Sequence, residues 1–388
     1  MMTAPDSIDF KSLKKRASEI TDLENFGNPD HLKGLEGLCY SLQEEAKLND
    51  IGKIAQHSRI VGILVNRLRF EKELESYPEI KDESILGPIV IVGLPRTGST
   101  MMHRLLSSDS RNTSMIWWEG RNPSRFPSEE RGKPLKRIKA GKNEVQELLQ
   151  ASPDLMSIHP MDAMAPDEEI LLLEHTFYST VPESFMYVPS YSKWIEEQNH
   201  TTAYEYLKSL LKYLQWQSPN RSKKTWVLKT PHHMGYVDII LKVFPNAKVI
   251  QTHRNPIDTI PSYCSMVTTL AAPLSNQLDP KLIGMYWEKK LSRVMLHCMN
   301  IANQNPSNFL DINYLDLIKN PLQQVRKVYN FLNIELNQKI IAEMEKWIQE
   351  NQQHKHGHHE YSSSNYGLDD QIIKEDFSEY INTYIKRV

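Results

Sequence analysis

The chain has too little cysteine for a covalent scaffold: Cys39, Cys264 and Cys298 are the three it carries in 388 residues. An odd number without metal-like spacing argues against a disulfide framework, and a reducing cytoplasm is the expected compartment. It also lacks an excess of either charge. With 46 Lys and Arg against 48 Asp and Glu the formal net charge is −2, so no global basic field exists to hold nucleic acid, and any anion site must be local. No run approaches the roughly 20 apolar residues that span a bilayer, which predicts no integral membrane association. Met1–Arg16 is charged throughout and has no apolar segment, so no secretory leader is expected. There is no internal repeat. What remains is an ordinary globular composition, 40% hydrophobic and 24% charged, at a length that supports one large core or one core with a helical appendage.

Residues 1–85 read as a polar, helical N-terminal segment. Ile54, Ile60, Val61, Ile63, Leu64, Val65 and Leu68 recur at helical spacing before a break over Ser76–Pro88. Residues 86–388 carry an α/β pattern. Short apolar strands are predicted at Ile89–Val92, Thr225–Lys229, Ala247–Thr252 and Asn308–Asn313, separated by helical stretches, and that alternation predicts a central parallel sheet flanked by helices. Helices are expected over Glu129–Leu149, Thr201–Gln217, Pro321–Glu350 and Lys374–Lys386, with a Pro/Arg-rich loop over Gly120–Gly132.

The most informative stretch runs from Pro88 to Leu106. Four apolar residues end at Gly93, Gly98 follows five positions later, and Ser99 begins a helix whose first amides face an anion. This is a phosphate-cradling loop with one part exchanged. A nucleotide triphosphatase needs a lysine directly after the second glycine to reach the outer phosphates, and a Ser/Thr with a distant carboxylate to hold Mg²⁺. Here Ser99 and Thr100 follow Gly98, and the cation is Arg96, inside the loop. A guanidinium grips a tetrahedral oxyanion in two places where an ammonium is a point charge. A tight strand–helix turn would need the same glycines for packing alone, so the loop gains meaning from what accompanies it.

A second constellation follows: Trp226-Val-Leu-Lys-Thr-Pro-His-His-Met234, then Thr252-His-Arg-Asn-Pro256 with Ser262 two helical turns beyond Arg254. Pro256 suits the first position of a helix. Together with the Gly-Leu-Pro-Arg-Thr-Gly-Ser-Thr loop and Asn313–Pro321, these segments resemble, in order and spacing across residues 88–332, the sulfotransferases that use 3′-phosphoadenosine 5′-phosphosulfate (PAPS). The likeness is to the bacterial-type branch with arginine in the first loop. His359-x-Tyr361 through Tyr366-Gly-Leu368 looks like that branch's C-terminal loop.

The resemblance implies a P-loop-like fold and sulfonate transfer from PAPS to a hydroxyl of a small-molecule, lipid, sugar or carrier-bound acyl acceptor. It accounts for the missing lysine, because a phosphosulfate carries less charge than a triphosphate. The implied donor contacts are Arg96 with the backbone of Thr97, Gly98, Ser99 and Thr100, and Arg254 with Ser262 for the 3′-phosphate. A base must take the acceptor's proton, and His233 is the favoured candidate; His232, Glu168 and Glu169 are the others, with a carboxylate also able to orient a histidine. Lys229, at a strand's C-terminal end, is expected to offset charge at the sulfonate. Trp117-Trp118-Glu119 fits either the acceptor site or the core. No metal is expected. His354–His359 lacks cysteine neighbours and does not present one helix face, so a loop closing over the donor is the better reading than a zinc site. The alternatives are a P-loop kinase, opposed by the absent lysine, and a non-catalytic nucleotide-binding protein, opposed by the histidines and acidic cluster. Acceptor identity and oligomeric state stay open.

Overall fold

The computed structural model describes residues 5, 7–153, 156, 161–351 and 362–386. The His354–His359 cluster and Tyr361 lie outside these residues. Five parallel strands form one sheet in the order β2-β3-β1-β4-β5, with β1 at Leu86–Gly93, β2 at Asn112–Thr113, β3 at Thr225–Lys229, β4 at Lys248–His253 and β5 at Phe309–Asn313. The α/β class with a parallel sheet and flanking helices is therefore as expected. Strand β1 is central because it is apolar on both faces: Val90 and Val92 join one buried cluster, Ile89 and Ile91 another. Register aligns Ile91 with Lys229 and Gly93 with Thr252. Three sequence motifs therefore end side by side at the carboxyl edge of the sheet, where ligands meet a parallel fold.

Several boundaries differ from the sequence reading. Strand β1 begins at Leu86, ahead of Pro88. The helix expected from Glu129 starts at Leu135, because the Glu129 carboxylate turns back to accept from the amides of Lys136 and Arg137 and pairs with the buried Arg137 side chain. The pattern over Pro321–Glu350 is two helices, Pro321–Phe331 and Gln338–Glu350, parted where Asn333 takes a φ of 55°. The C-terminal pattern begins earlier, at Asp370. A 25-residue helix, Pro280–Gln304, occupies a stretch to which no element was assigned.

The N-terminal segment holds three helices, α1 (Phe10–Thr21), α2 (His31–Glu44) and α3 (Asp50–Ser76). Their apolar faces form one buried cluster with Phe177, Met186, Val188, Tyr191 and Ile195. Arg67 of α3 is buried and donates to the carbonyls of Phe26 and His175. A buried guanidinium with carbonyl acceptors on both sides of the junction ties α3 to the 170s segment, since stranding it would cost several hydrogen bonds.

Candidate active site

The loop from β1 to helix α4 (Ser99–Ser107) is shaped by two glycines and one strained arginine. Gly93 has φ 146°, and a Cβ there would lie 2.5 Å from the Thr252 carbonyl oxygen. Gly98 takes φ 86° as the residue preceding α4, and Arg96 itself has φ 70°, an uncommon conformation for a side-chain-bearing residue and one that clusters at ligand sites. Thr97 is fully buried; its hydroxyl bonds the Leu94 carbonyl and Thr252 Oγ1, each at 2.7 Å, and so fastens the loop to β4. The first amides of α4 have no acceptor within the helix.

Arg254 leaves the end of β4 and donates from Nη1 to the Arg96 carbonyl at 3.2 Å, with its guanidinium over the Tyr314 ring. Arg96 Nε donates to Ser262 Oγ at 3.3 Å. Asn255 caps the helix Pro256–Ala271 and Pro256 opens it, which carries Ser262 back along the loop. Arg96, Arg254 and Ser262 therefore meet at one place, together with the start of α4. That place offers two guanidiniums, a hydroxyl and free helix amides, which fits a doubly anionic nucleotide.

The acidic triplet before the helix Ile170–Leu173 splits its work. Glu169 is buried; its Oε2 accepts from the Lys229 amide at 2.9 Å and its Oε1 pairs with His233 Nε2. His233 is fully enclosed, with Nδ1 2.7 Å from the Tyr204 hydroxyl. Both ring nitrogens are therefore engaged by protein partners. Glu168 pairs instead with Lys229 Nζ, which also donates to Thr100 Oγ1 at 3.2 Å.

His232 is placed differently. Pro231–Tyr236 is a 3₁₀ turn capped by Thr230, and there adjacent side chains diverge by a third of a turn. His232 is buried, yet neither of its ring nitrogens has a hydrogen-bond partner among the described residues. Burial, with lesser help from His200, His233 and Lys290, pushes its pKa well below the ordinary 6.5. An unsatisfied buried imidazole is costly and calls for an explanation, of which a catalytic role is one.

A cavity of about 200 Å³ opens beside this group. Arg96, Ser99, Thr100, Glu168 and His232 line it, and so do Trp117, Leu171, Val181, Phe185 and Met266. His233, Lys229 and Glu169 do not. His233, the favoured base candidate, is instead enclosed between Glu169 and Tyr204 outside the cavity lining, and His232 is the histidine on it. Trp117 faces the cavity, whereas Trp118 is buried under the Arg137 guanidinium and Glu119 pairs with Arg221. Sequence reasoning missed Tyr204, readable only as one more residue on an apolar helix face, and Arg59 of α3, which also lines the cavity. Among the described residues no group of three or more His, Cys, Asp or Glu is arranged to hold a metal ion, and no helix is long and apolar enough to cross a membrane.

A parallel sheet with a glycine-shaped strand–loop–helix, two converging arginines and a cavity against the loop is the arrangement of a nucleotide-dependent group-transfer enzyme. Residues 88–338 match the family described as the Sulfotransferase family, and the chain belongs to it. It is 27% identical over 313 residues to the omega-hydroxy-beta-dihydromenaquinone-9 sulfotransferase Stf3 of Mycobacterium bovis, covering 76% of this chain and 74% of the relative. The crystal structure of sulfotransferase STF1 from Mycobacterium tuberculosis superposes with a TM-score of 0.84 at 28% identity, covering 96% of this chain and 99% of that one. Sulfotransferase STF9 from Mycobacterium avium has the same fold, with a TM-score of 0.88 at 24% identity. The protein is a PAPS-dependent sulfotransferase, the donor following from the family.

Proposed function

We propose that the acceptor is a lipid-like alcohol whose hydroxyl reaches Arg96, Thr100 and His232 while its apolar body lies along Trp117, Leu171, Val181, Phe185 and Met266. The observation that carries this is the continuity of one cavity from the donor loop onto that apolar wall. The acceptor named for the relative Stf3, a hydroxylated menaquinone derivative, agrees in kind. PAPS, when bound, supplies the sulfonate and a nucleotide leaving group. Arg96 and the start of α4 hold the phosphosulfate, and Arg254 with Ser262 holds the 3′-phosphate. His232 takes the acceptor's proton, Lys229 supplies positive charge at the donor loop, and Glu169 with His233 fixes the backbone from which Lys229 projects.

A panel of primary alcohols with lengthening apolar chains, assayed with labelled PAPS, tests the acceptor class. Each methylene that enters the cavity should raise kcat/KM about three- to fourfold, as expected from about 0.8 kcal/mol per buried CH₂, until the wall is covered. Faster sulfation of sugars, with no dependence on chain length, would overturn the reading.

The 3′-phosphate contact is tested separately. Arg254→Ala removes a charge-assisted contact expected to be worth about 2–4 kcal/mol in nucleotide binding. The wild-type protein should bind the 3′-phosphorylated product nucleotide far more tightly than AMP, and the variant should barely distinguish them. Equal discrimination by both proteins would remove Arg254 from the role.

A further inference from the structure

The acceptor cavity has a second polar group that the transfer reaction does not use. Arg59 comes from α3 and Arg121 from the end of the helix Trp117–Arg121, and both line the cavity together with Glu144. Arg59 is held in a two-point grip by Glu174, at 2.5 Å from Nε and 2.6 Å from Nη2. Arg121 donates from Nε to Glu144 at 2.8 Å, and its Nη1 lies 3.5 Å from Glu174. Among the described residues, the hydrogen bonds of Arg59 run from Nε and Nη2 and that of Arg121 from Nε. A guanidinium presents five N–H donors in a rigid fork, so each arginine keeps donors aimed away from its carboxylate partners. Arg59 and Arg121 pair with Glu174 and Glu144, whereas Lys229 pairs with Glu168, so the cavity carries a second charged group beside the one at the donor loop.

The charges decide what this cluster recognises. Two guanidiniums already face two carboxylates, and Glu174 is buried and held ionised below the usual carboxylate range by Arg59 and Arg121 despite its burial. A third carboxylate or a phosphate would enter without net countercharge, at the cost of desolvation. An uncharged oxygen needs only the spare N–H donors.

We infer that Arg59 and Arg121 hydrogen-bond an uncharged oxygen of the acceptor, a carbonyl or ether, at a distance from the hydroxyl that is sulfated, so that the enzyme selects a bifunctional alcohol. The inference rests on the lipid-like acceptor proposed above and adds a second recognition point to it. It also gives the N-terminal segment a part in specificity, because α3 delivers Arg59. Sites that hydrogen-bond a substrate oxygen discriminate against the analogue lacking it, since their donors are then left unpaired.

The test uses pairs of primary alcohols matched in chain length, one with a plain apolar end and one with a methyl ketone there, across a range of lengths. At the best length the wild-type enzyme should favour the ketone in kcat/KM by about 10–100-fold, the range expected for hydrogen bonds from charged donors. Arg59→Lys and Arg121→Lys keep the charge and lose the fork, and each should bring that ratio towards one. Binding of the product nucleotide reports that each variant is folded. A wild-type ratio near one at every length overturns the inference, as does a ratio unchanged in both folded variants. If the enzyme sulfates neither alcohol of any pair but does sulfate sugars, the lipid-like acceptor itself falls, and the second recognition point falls with it.

Discussion

His232→Ala is expected to lower kcat by about 10²–10⁴-fold, the usual contribution of a positioned general base. Product-nucleotide affinity should stay within a few-fold, because the ring lies on the cavity wall outside the loop from β1 to α4. The pH profile carries the same assignment. A histidine base works when neutral, so activity is present above its pKa and lost as pH falls through it. Burial lowers the His232 pKa well below 6.5, so kcat/KM should hold level through the neutral range and fall only at distinctly acid pH. An unperturbed imidazole would instead give a limb centred near its ordinary value.

His233→Ala should behave otherwise. It leaves the Glu169 carboxylate and the Tyr204 hydroxyl buried without their shared partner, a change expected to cost about 2–4 kcal/mol of stability and to be read as a lowered melting temperature. A stable His232→Ala enzyme with near-normal turnover, and a collapse of kcat in Glu168→Gln, would move the base to that carboxylate.

The second large effect is expected at Lys229. Its ammonium is buried between Glu168 and Thr100, at the first turn of α4, where the proposed reaction gathers negative charge as the nucleotide leaves. Lys229→Met should lower kcat by about 10²–10³-fold, by analogy with the loss of one oriented donor from an oxyanion site. The single change also strands Glu168. The double variant Lys229→Met with Glu168→Gln removes that complication, and it should remain as slow as the single one while binding product nucleotide nearly as well as the parent. Recovery of turnover in the double variant would mean that Lys229 serves only to neutralise Glu168.

The strand–loop–helix proposed to hold the donor was legible in the amino-acid order because its parts are local. Ile89–Val92, Gly93, Arg96, Gly98 and Ser99 form one continuous strand–loop–helix, whose conformation depends on neighbours within a few residues. Arg254 and Ser262 sit within one cap and two helical turns. Even the parallel sheet follows from short apolar strands spaced too far apart for hairpins. Element ends were less legible: Glu129 reads as helix former but acts as a cap eight residues before its partner Arg137, because Pro134 intervenes.

The lining of the cavity was decided by tertiary structure. His232 and His233 are adjacent in sequence, and counting cannot say which faces the cavity. A 3₁₀ turn points them apart, and Tyr204 and Glu169, 29 and 64 residues away, claim one of them. Glu168 and Glu169 are likewise neighbours that separate, one to the Lys229 ammonium and one to its backbone amide and His233. Arg59 reads as one more charge on an N-terminal helix until Glu174, 115 residues on, holds it against the cavity. The sequence by itself determined the sheet, the strand–loop–helix from β1 to α4 and the family, since those rest on apolar periodicity, short-range backbone geometry and motif order. Which ring, which carboxylate and which N-terminal arginine line the cavity was settled only by packing between distant segments, because a side chain's burial and partners depend on what the rest of the chain lays over it.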